Sequence, residues 1–177
     1  PNVLFLEDQA YLDGTAEYRA ACGFEPVKID RTADFTGEWR IDESESSISR
    51  NTGFSNTPYK LVVKHDQKNI SVRSFSVVEW DDDDVTELTL PLDGKEITST
   101  GFMNSPRVQV IFLSPAKDTL TIDTRITTKF GDKPPVDIKS KEVWTLAERG
   151  RKLIIIQKSD GMMGRGPVTN RLVYNKY

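Results

Sequence analysis

The chain has 177 residues, 37% hydrophobic and 29% charged, a composition that suits one globular domain and lies well away from disordered chains. Its formal charge of -3, with both signs interspersed, provides no electrostatic footprint for nucleic acid or an anionic membrane, and no apolar run approaches the roughly 18 residues of a spanning helix. One Cys (Cys22) and one His (His65) exclude an internal disulfide and a zinc site built from Cys and His, and no cofactor or metal is expected.

Residues 1–34 read as an arm. The apolar stretch NVLFLED precedes DGTAEYRAACG, which reads as a short helix capped by Asp13 or Thr15, ended by Gly23, with Tyr18, Ala21 and Cys22 on one face. Val3, Leu4, Phe5, Leu6, Tyr11, Leu12, Tyr18 and Phe24 are too much apolar surface for a free tail. The arm is therefore expected to lie against the main domain or a protein partner. Outer strand faces rich in Lys, Arg, Asp, Glu and Thr favour the mouth, where the arm would act as a lid. The numbering begins at Pro1 rather than Met, so upstream trimming or processing is expected, although no signal peptide is visible. Asn69-Ile70-Ser71 fits a glycosylation sequon, which matters only in a eukaryotic secreted protein.

From Phe35 onward the period is two. FTGEWRID, then Tyr59–His65, ISVRSFSVVEW, VTELTLPL, EITSTGFM, VQVIFL, TLTIDTRITTKF, VDIKSKEVWTL, LIIIQKSD and VTNRLVY give about ten strands. Turns rich in Asp, Gly, Pro, Asn and Ser separate them, and none is long enough for a crossover helix. An open sheet of that width would leave two edges unprotected. The expected fold is all-β: an up-and-down antiparallel β-barrel over residues 35–177, preferred to a sandwich because no long Greek-key return is present.

Phe35, Gly37 and Trp39, LDGKE at 92–96, EVWTL at 142–146 and RLVYNK at 171–176 resemble the calycin superfamily of lipocalins and fatty-acid-binding proteins. The likeness is greatest to uncharacterised lipocalin-like proteins of Bacteroidota. It implies a barrel with an interior ligand, an extracytoplasmic setting, and a barrel end where Gly37 allows close approach, Trp39 fills the narrow end and Arg171 packs on it. Two departures stand out. The segment ESESSISRNTGFSNTP is too short for the helical lid of the fatty-acid-binding proteins, and their Arg-x-Tyr carboxylate grip is missing because Arg171 and Tyr174 are three apart.

Alternation places polar groups among the inward residues. Glu142 and Ser140 share parity with Ile138, Trp144 and Leu146. Ser74 and Ser76 share it with Val72, Val78 and Trp80, and Thr124 and Thr128 with Ile122 and Ile126. An inward carboxylate is costly unless paired, so Glu142 is the candidate polar contact or acid/base. His65 reads as a solvated turn residue, Asp81–Asp84 as a solvated hairpin tip rather than a calcium site, and GMMGRG as a loop at the mouth. The expected ligand wall is Tyr59, Leu88, Met103, Phe112, Ile126, Trp144 and Tyr174, with Ser76 and Glu142 as polar contacts. The leading expectation is a binder of a hydrophobic or amphipathic small molecule. The alternatives are a metal-free cyclase that folds a reactive polyene, and an accessory subunit docking through residues 1–34.

Overall fold

The computed structural model describes residues 32–49, 57–101, 104–129, 131, 134–160 and 166–177. Residues 1–31 of the arm, with its expected helix and lid role, lie outside the described residues, as do Met103 and most of GMMGRG. Ten strands follow one another: β1 Gly37–Ile41, β2 Lys60–His65, β3 Asn69–Ser76, β4 Asp84–Pro91, β5 Ile97–Thr100, β6 Pro106–Leu113, β7 Thr119–Thr128, β8 Val136–Ala147, β9 Lys152–Ser159 and β10 Val168–Lys176. They form one antiparallel sheet in the order β4-β3-β2-β1-β10-β9-β8-β7-β6-β5. Pairing of β1 with β10, Arg40 opposite Asn175, joins the first strand to the last and rolls the meander into a nearly closed barrel. The remaining seam lies between β4 and β5, the two ends of that order.

Short side-chain-bonded turns make the meander possible. Asp66 Oδ1 accepts the backbone N–H groups of Lys68 and Asn69 at 2.7 and 2.8 Å. Asp93 Oδ1 takes that of Lys95, with Gly94 at φ +74°, the left-handed conformation such a turn needs. Ser114 Oγ donates to Asp118 Oδ1 at 2.7 Å before β7 begins.

One boundary differs from the alternation. The pattern in ISVRSFSVVEW carries Trp80 onto the inner face, but β3 ends at Ser76. Trp80 stands in the following turn at φ 70°, 96% exposed. Pairing has already stopped at Ser76, so parity has no meaning over residues 77–80.

The core fills one end of the barrel. Phe35, Trp39, Ile70, Ile111, Leu120 and Leu153 are fully buried, and Val63, Leu90, Trp144 and Ile155 join them. Trp39 Nε1 donates to the Phe35 carbonyl at 3.0 Å, and the Phe35 ring meets Trp144 edge-on at 6.4 Å and His65 at 5.7 Å. His65 is thus half-buried against this plug rather than solvated. Each large side chain buried here is worth about 1.5–3 kcal/mol. Gly37, at φ +153°, sits where an added Cβ would come within 2.7 Å of Lys176 Cε, in a backbone region that glycine alone adopts readily.

Arg171 does not pack on Trp39. Its strand directs Val168, Asn170, Leu172 and Tyr174 inward, so Arg171 faces out, where Nη1 donates to the Glu45 carbonyl at 2.6 Å. Lys176 takes the expected place, its Nζ 5.2 Å from the Trp39 ring centroid. The outer wall is also less polar than the sequence suggests. Val110, Phe112, Val143, Ile154 and Ile156 face out, and the 42–47 segment covers Val173, which is fully buried, through bonds to its backbone.

Candidate ligand site in the barrel interior

The inward residues change character partway along the barrel. On β3 they run Ile70, Val72, Ser74, Ser76; on β4, Leu90, Leu88, Thr86, Asp84. On β6 they run Leu113, Ile111, Gln109, Arg107; on β7, Leu120, Ile122, Thr124, Ile126, Thr128. On β8 the series is Leu146, Trp144, Glu142, Ser140, Ile138. On β9 it is Leu153, Ile155, Gln157, Ser159, opposite Tyr174, Leu172, Asn170, Val168 of β10. The third inward position from the apolar end is polar on every one of these strands. Register aligns these positions in two groups, Gln109 facing Thr124, and Glu142 facing Gln157, which faces Asn170; between β7 and β8 the series steps by one inward position, Thr124 facing Ser140.

The belt is bonded along one wall. Trp144 Nε1 donates to Glu142 Oε2 at 2.9 Å, and Gln157 Nε2 to Glu142 Oε1 at 3.1 Å. Asn170 Nδ2 donates to Gln157 Oε1 at 3.1 Å, and the Ser49 backbone N–H to Asn170 Oδ1 at 2.8 Å. All four bonds run in one sense toward the carboxylate, so each polarises the next. Glu142 is thereby held by two donors. The opposite corner differs. Gln109, 6% exposed, donates Nε2 to Thr124 Oγ1 at 3.2 Å but leaves Oε1 without a partner. Arg107 Nε and Ser99 Oγ are also buried without partners, and these two residues face each other across β5 and β6. A buried polar atom left unbonded costs about 1–3 kcal/mol, so three in one corner mark a place where bonding capacity is held unused.

The expected site residues divide as follows. Glu142, Trp144, Ser76 and Tyr174 are inward and share the interior with half-buried Leu88 and Ile126. Tyr174 donates its hydroxyl to the Pro58 carbonyl at 3.0 Å, and burial, then the Glu142 charge, pushes its pKa well above the ordinary tyrosine value. Tyr59 lies at the polar end, its hydroxyl donating to Asp83 Oδ2 at 2.6 Å, a bond that raises its pKa. Asp83 thus braces the rim. Phe112 is not a wall residue: with Gln109 and Ile111 inward, it falls on the outer face, 47% exposed. VQVIFL is apolar at both parities, so alternation alone could not choose its inner face. Gln109, Arg107, Gln157, Asn170 and Ser99 were missed. Gln157 in LIIIQKSD and Gln109 in VQVIFL were the available signal, each an amide at an apolar parity.

No protein-family model matches the chain, and no curated protein matches it. Among solved structures, a crystal structure of a mutant of the fluorescent protein UnaG matches at 16% identity and a TM-score of 0.48, covering 81% of this chain and 96% of that one. The strand order, a ten-stranded antiparallel meander joined through β1 and β10, makes the described residues an up-and-down, nearly closed β-barrel.

Proposed function

We propose that this barrel binds an amphipathic small molecule in the polar half of its interior. The observation that carries the reading is the inward belt at Gln109, Thr124, Glu142, Gln157 and Asn170, with unbonded atoms at Ser99, Arg107 and Gln109 beside it. Ligand sites combine apolar walls with a few placed polar groups, and Leu88, Ile97, Ile126 and Ile138 supply the apolar part here. The apolar end is filled by its own side chains, which favours an amphipathic ligand over a purely hydrophobic one. An extracytoplasmic setting belongs to the same reading.

Trp144, bonded to the belt through Glu142, is the natural reporter. Titrating a panel of amphipathic ligands should quench tryptophan fluorescence saturably, and Trp144→Phe should remove most of the change. Gln109→Leu should weaken binding by about tenfold, the loss of one well-placed polar contact. A panel without saturable binding, in a protein whose unfolding is cooperative, would mean that the belt is purely structural.

A further inference from the structure

The outer wall of β6–β9 carries a groove of about 540 Å³ whose lining includes Val108, Val110, Arg125, Lys139, Lys141 and Lys158, and reaches Thr124, Ser140, Ser159 and Val168 of the inward series. Strand pairing sets Arg125 directly opposite Lys139 and Lys141 directly opposite Lys158. Like charges facing each other across a ladder repel, and here two such pairs are adjacent, two residues apart along β8. One counter-charge relieves them, Asp123 at 3.4 Å from Lys141. Among the described residues, Arg125, Lys139 and Lys158 have no ion-pair partner. Glu96 on the β5 side and Asp160 at the end of β9 also border the groove, so its excess positive charge sits at the middle of the block.

We infer that this groove is a second binding site, for a small soluble phosphate ester whose phosphoryl oxygens lie among Arg125, Lys139 and Lys158 and whose apolar body rests on Val108 and Val110. Neighbouring strands are about 4.8 Å apart and alternate residues about 7 Å apart, so the four cations form an array matched to one multiply charged oxyanion. The groove is concave and of small-molecule size, which favours a soluble ester over the flat face of a lipid bilayer.

Isothermal titration at low ionic strength with phenyl phosphate, inorganic phosphate and phenol tests this, alongside sedimentation with vesicles containing phosphatidic acid. Phenyl phosphate should bind more tightly than either half alone. Binding should fall by about tenfold or more when K139Q and K158Q are combined, as expected for two lost charge-assisted contacts. It should persist in K64Q/K68Q, which alters charge elsewhere, and in Q109L, which alters the interior. Unchanged affinity in K139Q/K158Q, loss of binding in Q109L, or capture by vesicles without binding of phenyl phosphate would each overturn the proposal.

Discussion

At one end of the barrel Phe35, Trp39, Ile111, Leu120 and Leu153 are wholly buried, and the indole N–H of Trp39 is bonded to a backbone carbonyl. At the other, Ser99 Oγ, Arg107 Nε and Gln109 Oε1 are buried with no partner among the described residues. The first end is built for stability, because each of its groups is better satisfied folded than unfolded. The second gives up stability for bonding capacity held inside the fold. The same ten strands pass through both, so the difference lies in side chains and not in backbone architecture.

That contrast predicts opposite responses to substitution. The largest effect belongs to the apolar end: Trp39→Ala should cost about 3–5 kcal/mol in urea unfolding, through lost burial and the cavity left behind. A cost below about 1 kcal/mol would mean that the plug is not the keystone of the core. At the boundary, Glu142→Leu strands the Trp144 indole N–H and the Gln157 amide, at about 1–3 kcal/mol for each donor left unpaired. Replacing Gln157 by Leu as well should recover little of that loss, because it removes one unpaired donor and strands the Asn170 Nδ2 that bonds Gln157 Oε1; a double mutant clearly more stable than Glu142→Leu would argue against the bonded chain.

Tyr174 sharpens the comparison through pH. Its folded pKa is raised by burial and by Glu142, so its contribution is intact below about pH 10 and is lost as pH climbs above the unfolded value toward the folded one. Tyr174→Phe forfeits the bond to the Pro58 carbonyl, about 1 kcal/mol near neutrality. The stability gap between wild type and this variant should therefore narrow above pH 10, and a gap that widens there would reverse the assigned shift. The smallest effect has the opposite sign. Ser99→Ala removes a buried hydroxyl with no partner among the described residues, so it should leave stability unchanged or raise it by up to about 1 kcal/mol while weakening binding of the proposed ligand. A clear loss of stability would show that the hydroxyl is bonded after all.

Much of the site was legible before the fold. Period-two alternation turned Ser140, Glu142, Ser76, Thr124 and Thr128 inward, and the structure places all five there. It failed where local pattern and chain geometry part. Trp80 continues the parity of Val72 and Ser76 on paper, but β3 ends at Ser76 and Trp80 stands in the following turn at positive φ. Phe112 sat in a run apolar at both parities, so its face was decided by neighbouring strands.

The sequence by itself determined the number of strands, most of their boundaries and the inward parity of most of them, because alternation and turn chemistry act over a few residues. Only the tertiary structure decided how those faces meet. Pairing of Arg40 with Asn175, across nearly the whole described chain, closes the barrel and leaves the seam at β4 and β5. The resulting register brings Glu142, Gln157 and Asn170 into one bonded chain and puts Lys176 rather than Arg171 over Trp39. It also leaves Arg107, Gln109 and Ser99 unbonded. Whether a buried group finds a partner depends on residues distant along the chain but adjacent in space, and no local pattern encodes that distance.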